Sequence, residues 1–417
     1  MEANIEKAQL LFKQNKYQET IDTCSKILAI DSLSIEALKL IAKSFLATQK
    51  IEDSRLSLRK LLNIKPDDYE ALKDLGNTYQ AVGDINTAKN YYQKSLEINE
   101  SYAPALNNLG NFELSADNKQ EALSLLIKAT ESDPQLAPAW GNLANCYSQL
   151  GKVKEAENAC RKTTELNPNL FNSHFLLANI LIQQKKLVEA ELPLRKTIEL
   201  KPDFFQAHLN LGAILKDLDQ PQKAEIPLRQ AIHLKPDYAE AHSNLGSILK
   251  DIGNTKEAEI SLRKAIELKP DLTEAHFNLG SIFIDIGNLE AAEISLRKAI
   301  ELKPNYADAH YNLGRIFKDL GNLQEAELFT RKAIEFNPSF AEAHYNMGKI
   351  YETLQKLDKA IAKFERADEL QMDHDLCQAS IGKILLEKGK HLEALTKIKV
   401  GEGFIHFDLI NGLSISK

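Results

Sequence analysis

Apolar side chains recur along this chain at helical spacing, in pairs of short runs broken by a turn. Residues 239–272 carry the pattern most clearly. Leu245, Ile248, Leu249 and Ile252 form one apolar stripe, Gly253–Asn254 interrupt it, and Ala258, Leu262, Ala265, Ile266 and Leu268 form a second. That spacing predicts helix, tight turn, helix. Gly253 suits the left-handed residue after the first helix, and Asn254 suits the cap of the second. Pro270 ends the second helix, because the residue before a proline avoids helical angles. Small residues at Gly246 and Ala258 predict a close crossing that anything larger would overpack.

The pattern repeats every 34 residues. Gly212, Gly246, Gly280, Gly314, Gly348 and Gly382 keep the period without slippage, each followed twelve residues later by an alanine. Gly76 and Gly110 continue the series upstream, and Ala8, Ala42, Ala144 and Ala178 substitute for glycine. Twelve units of 34 cover residues 1–408 and leave nine over. A fixed period of this size predicts a stack of identical supersecondary units. Glu259–Arg263, Glu293–Arg297 and their equivalents add i,i+4 pairs, each worth a few tenths of a kcal/mol. Pro193 and Pro227 fall inside second helices and predict a local bend, or a change of superhelix pitch between the two halves.

These residues resemble the tetratricopeptide repeat family over nearly the whole chain. Trp140, Leu143, Ala144, Ala156 and Pro168 fit one unit of its pattern, and Leu245, Gly246, Ala258, Ala265 and Pro270 another. The resemblance implies an all-α fold, a right-handed α-solenoid superhelix of about twelve helix-turn-helix repeats whose first helices line a concave groove. The expected organisation is a degenerate N-terminal repeat at 1–34, with Thr20 and Ser32 in place of alanine and proline. Ten repeats follow at 35–374, then a degenerate final repeat at 375–400 and a β-hairpin-like tail at 401–417.

In that family positions 2, 5, 6, 9, 12 and 13 of each unit tend to face the groove. Position 6 is Asn108, Asn142, Asn210, Asn244, Asn278, Asn312 and Asn346, with Leu176 breaking the column. An amide donates and accepts at once, so such a column can hold an extended peptide backbone without reading its sequence. It resembles the asparagine ladder in the superhelical arm of O-linked N-acetylglucosamine transferases; the alternative is family consensus with no dedicated ligand. Asp217, Asp251, Asp285 and Asp319 at position 13 make the middle of the groove acidic, partly offset by Lys216, Lys250 and Lys318. Toward the C-terminus Phe277, Tyr311 and Tyr345 stand at position 5 beside Arg315 and Lys349 at position 9. Such aromatics could anchor apolar side chains of a partner, or the whole face could be solvated surface. The chaperone-adaptor carboxylate clamp is not expected. Lys73, Asn77 and Asn108 match its first members, but Pro138 and Asn142 stand where its cations belong.

The remaining candidate chemistry is thin. His174, His208, His242, His276, His310 and His344 recur at position 4, where Trp140 stands in one unit. Packed helices lie about 8–10 Å apart, too far for neighbouring rings to share one metal ion, so these read as packing residues. His406 and Asp408 start an iron facial triad that no later histidine completes. No phosphate loop, dinucleotide loop, zinc-protease or nucleophile-elbow motif occurs, and the repeats leave no room for a catalytic domain. No metal and no cofactor are expected.

With 27% charged residues and a net charge of −7, no run of like charges suggests a nucleic-acid grip. Nothing approaches the roughly 18 apolar residues of a membrane span, and the N-terminus lacks a signal-peptide core. Four cysteines without paired spacing read as reduced core residues. In the tail, Phe407 and Leu409, then Leu413 and Ile415, flank Asn411–Gly412, a short hairpin signal after a helix ended by Gly401 and Gly403. Such a hairpin could cap the stack, pair with another chain or begin a further domain. It resembles C-terminal ends of tetratricopeptide proteins of marine cyanobacteria, which implies a bacterial, cytoplasmic protein. Two functions remain open: a non-enzymatic scaffold binding extended segments of other proteins, or the substrate-recognition arm of a glycosyltransferase-like enzyme whose catalytic domain is separate or absent.

Overall fold

A computed structural model describes residues 2–402, 404–408 and 412–416. The chain divides into two units, residues 1–207 and 208–417. The first contains α1 (Glu2–Lys13), α2 (Tyr17–Ile30), α3 (Ile35–Ala47), α4 (Ile51–Ile64), α5 (Tyr69–Gln80), α6 (Ile85–Ile98), α7 (Ala103–Ser115), α8 (Lys119–Ser132), α9 (Ala137–Gln149), α10 (Val153–Leu166), α11 (Phe171–Gln183) and α12 (Leu187–Leu200). The division falls inside α13 (Phe205–Asp217). The second unit continues with α14 (Pro221–Leu234), α15 (Ala239–Asp251), α16 (Thr255–Leu268), α17 (Thr273–Asp285), α18 (Leu289–Leu302), α19 (Ala307–Asp319), α20 (Leu323–Phe336), α21 (Ala341–Thr353), α22 (Leu357–Glu369), α23 (His374–Glu387) and α24 (His391–Glu402). Each unit is an all-α solenoid of consecutive helix pairs.

The turn within every pair is set by one residue. Position 15 of all twelve repeats has positive φ, from 56° at Asp219 and Gln355 to 83° at Gly253. Six of these are glycine, which adopts that conformation freely; the other six, among them Lys185 and Gln355, carry the steric cost of a side chain there. Asn254 departs from expectation. It stands at the start of α16, but its amide donates to Glu257 Oε2 (2.8 Å) and caps no backbone N–H. Asn288 and Asn322, at the same position in the next two repeats, do accept from Ala291 N and Glu325 N.

Inside each pair the small residue at position 8 sets the approach. A Cβ on Gly246 would lie 2.6 Å from Leu262 Cγ, and one on Gly348 would lie 2.6 Å from Phe364 Cε1, so neither site has room for a methyl group. Where Ala8 and Ala144 add that methyl, the facing residue shrinks to Cys24 and Cys160, and all four are fully buried. All four cysteines are free and buried. Burial pushes the Cys160 thiol up to about 12, so at neutral pH it is a packing group and not a nucleophile.

Pro193 and Pro227 are buried in α12 and α14, both of which run uninterrupted over 14 residues. α24 passes through Gly401 and ends at Glu402, so Gly401 does not stop it. In the tail, β1 (Phe404–Asp408) and β2 (Gly412–Ser416) pair antiparallel, with Phe407 opposite Leu413 and Asp408 opposite Gly412. Gly412 is therefore paired strand, not half of a two-residue turn; Leu409 and Asn411 lie outside the described residues.

Candidate functional site: the inner helix layer

Which face of each unit is the inner one follows from spacing. Neighbouring first helices touch: α7 with α9 in the first unit, and α15 with α17, α17 with α19 and α19 with α21 in the second. Neighbouring second helices are held apart by clefts of about 320 Å³ between α10 and α12, 440 Å³ between α14 and α16, and 690 Å³ between α16 and α18. A layer whose members touch, backed by a layer whose members are separated, curves toward the first. The first helices therefore line the inner face of each unit.

In the first unit the expected asparagines are occupied with one another. Asn142 Nδ2 donates to Asn107 Oδ1 (2.9 Å), Asn107 Nδ2 to Asn108 Oδ1 (3.2 Å), and Asn108 Nδ2 to Asn77 Oδ1 (2.9 Å). The buried Tyr92 hydroxyl donates to the same Asn77 oxygen at 2.8 Å. Charges around this relay are likewise paired: Lys39 with Asp68 (2.9 Å) and Glu70 (3.1 Å), and Lys73 with Asp74 (2.5 Å). Burial pushes the Asp68 carboxyl up, but Lys39 and the Ala71 N–H outweigh it and hold it below the ordinary value. Lys73 and Asn77, the would-be clamp residues, are thus bound internally.

The second unit differs. Asn244, Asn278 and Asn312 are half-buried on α15, α17 and α19, and among the described residues no side chain or backbone group bonds their amides. Asn210 is half-buried on α13. Asp217, Asp251, Asp285 and Asp319 are exposed at the ends of α13, α15, α17 and α19; Asp319 lies 3.7 Å from Lys318. Lys216 donates to Ser247 Oγ (2.6 Å), a neutral partner, and keeps its positive charge beside Asp217.

Several expected groove residues have other work. Asn346 is 4% exposed and donates to Thr330 Oγ1 (3.2 Å), which removes it from the inner face. Phe277 packs on Tyr306 (centroids 4.8 Å) and Tyr311 on Phe340 (4.9 Å), so each half-buried ring is held by the last residue of its own repeat. Tyr345 packs on Phe364 and its hydroxyl bonds Ser380 Oγ at 3.1 Å. Arg315 lies exposed over the Tyr311 ring, and Lys349 pairs with Glu352 (2.9 Å).

The histidines have a structural role that the sequence did not reveal. Nε2 of His174, His242, His276, His310 and His344 lies 2.8–3.1 Å from the carbonyl of the proline six residues earlier. Trp140 Nε1 makes the same bond to the Pro134 carbonyl at 3.0 Å. A carbonyl only accepts, so each ring nitrogen carries the proton, and indole and imidazole are equivalent here. Nδ1 of His310 and His344 is buried without a partner, and burial lowers both pKa values. No three metal-ligating side chains cluster among the described residues, and no described helix is long and apolar enough to cross a membrane.

Known proteins share this architecture. Residues 22–277 match a family of repeats described as the Cilia and flagella-associated protein 70 C-terminal domain. Residues 280–321 match TPR repeat, and 307–340 and 329–362 match Tetratricopeptide repeat. No curated protein matches the chain. Similar solved structures include YrrB, a TPR protein with an unusual peptide-binding site, at 26% identity over 44% of this chain and 95% of that one (TM-score 0.40). MamA is similar at 30% identity over 39% and 94% (TM-score 0.35), and the Cut9-Hcn1 hetero-tetramer of the APC/C at 14% over 94% and 92% (TM-score 0.49). Proteins with this repeat are in general non-catalytic scaffolds for protein interaction. On its period, its helix pairs and these matches, the chain belongs to the tetratricopeptide repeat family.

Proposed function

We propose that the protein is an interaction scaffold whose second unit holds an extended segment of a partner protein along its inner face. The observation that carries this reading is the free amide row of Asn244, Asn278 and Asn312. A half-buried amide with no internal partner is costly unless water or a ligand satisfies it, and an extended backbone presents the matching donor and acceptor at regular intervals. The flanking Asp217, Asp251, Asp285 and Asp319 favour a segment rich in lysine or arginine.

Selection of displayed peptides on the intact protein tests this. Basic, extended peptides should emerge, with affinity read by fluorescence polarisation. At about 1 kcal/mol per hydrogen bond, Asn244→Ala/Asn278→Ala/Asn312→Ala should weaken them about 100-fold with helicity unchanged. Failure to select any peptide, or equal binding by the variant, removes the reading.

A further inference from the structure

The free amides and the acidic row of the second unit share one period, and that period selects the conformation of what they hold. Asn244, Asn278 and Asn312 stand one per repeat on α15, α17 and α19, and Asp251, Asp285 and Asp319 end the same three helices, each seven residues after its asparagine. Seven residues are two helical turns, so the rows run side by side about 10 Å apart. Asp217 extends the acidic row onto α13. Both rows step from one first helix to the next, and helices in contact, as α15 with α17 and α17 with α19 are, lie about 8–10 Å apart.

A segment lying along these rows must present equivalent groups at that interval. A β-strand returns a side chain to the same face at every second residue, so its matching positions fall at about 6.7 Å and about 13 Å. Neither fits. In a polyproline II helix every third side chain faces the same way, and three residues rise about 9.3 Å. That backbone has no internal hydrogen bonds, so its N–H and C=O groups stay open to a donating and accepting amide.

The aspartates decide what stands at every third residue. All four are exposed. Among the described residues no hydrogen bond is donated to their carboxylates, and Lys318 lies 3.7 Å from Asp319. At Asp285 the preceding residue is Ile284, where the other three repeats carry lysine, so the acid there has no cation beside it in the chain. A carboxylate with open lone pairs favours a charged donor. A long stem is also required to reach from a backbone on the amide row to the acidic row, which lysine and arginine provide.

On the footing of the peptide binding proposed above, we infer that the second unit holds its partner segment as a polyproline II helix with lysine or arginine at every third residue. Its backbone lies on Asn244, Asn278 and Asn312, and its cations reach Asp217, Asp251, Asp285 and Asp319.

Three synthetic peptides of equal length and composition test this by fluorescence polarisation on the full chain. Each carries four lysines among serine and alanine, spaced two, three or four residues apart. The three-residue spacing should bind about tenfold more tightly than either of the others. Asp251→Asn/Asp285→Asn should abolish that preference; both side chains are exposed, so circular dichroism should be unchanged. Asn244→Ala/Asn278→Ala/Asn312→Ala should weaken all three peptides and keep their order. Equal affinities, a preference for two or four, or a preference that survives in the aspartate variant overturns the inference and leaves peptide binding standing. Absence of binding by all three overturns it as well, and the display selection then decides whether peptide binding falls with it.

Discussion

The inner faces of the two units begin from the same repeat and end chemically opposite. In the first, Asn108 and Asn142 are joined through Asn107 and Asn77 into a relay that ends on Tyr92. In the second, Asn244, Asn278 and Asn312 occupy the same repeat position with their amides free among the described residues. The cause is not the asparagine but its neighbours. The first unit offers an amide at position 9 of one repeat (Asn77) and position 5 of the next (Asn107), each within reach of the following asparagine. At these positions the second unit has Ser243 and Ser247 in one repeat and Phe277 and Ser281 in the next. Closing or opening a joint therefore takes a single amide at position 5 or 9 of the preceding repeat, with the backbone untouched.

Three measurements press on this contrast. The largest effect is expected from Asn77→Ala, which removes the acceptor of the Asn108 amide and one of the two acceptors of the buried Tyr92 hydroxyl, Gln80 Oε1 (2.8 Å) being the other. Urea unfolding should show a loss of about 1.5 kcal/mol, while Asn278→Ala loses less than about 0.5 kcal/mol. Equal losses would mean that the relay contributes nothing. Next, Ser243→Asn/Ser247→Asn should import the first unit's closure and occupy Asn278, weakening selected peptides about tenfold; unchanged affinity would place binding elsewhere.

The smallest effect concerns pH. The joint that non-titrating Trp140 makes in the first unit is made by His310 and His344 in the second. Their pKa values are lowered by burial, so the neutral rings are favoured by folding. Their contribution is complete above the unfolded value of about 6.5 and is lost as pH falls below it. The urea midpoint should decline from about pH 6.5 downward, and less steeply in His310→Gln/His344→Gln. Parallel curves would remove the histidines from the effect.

The helix pairs, their turns and their crossing could be read directly, because each depends on residues close in sequence that recur twelve times. Gly253 was legible as the left-handed residue; Lys185 and Gln355 were not, although they hold the same conformation, since only glycine announces it. The site was legible as a column of positions but not as a set of free groups. Asn346 was lost because Thr330, at position 24 of the preceding repeat, offers a hydroxyl where the other described repeats carry mostly leucine. The aromatic rings at position 5 were also lost to packing, Phe277 and Tyr311 each to a ring 29 residues later and Tyr345 to Phe364. Both signals are present in the sequence, but they lie between helices rather than within one.

The histidine–proline bond has a consequence for how such a chain is built. Between Pro134 and His344 the proline carbonyl of one repeat meets the ring of the repeat that follows, so no unit contains a whole joint. A copied unit inserted between Pro134 and His344 finds a proline ahead of it and a ring behind it, and both new joints close without further change. Repeats 239–272 and 273–306 share 25 of 34 residues, as a recent copy would. The array can lengthen by whole units at little cost in fit, and its length is open to selection independently of what its faces hold.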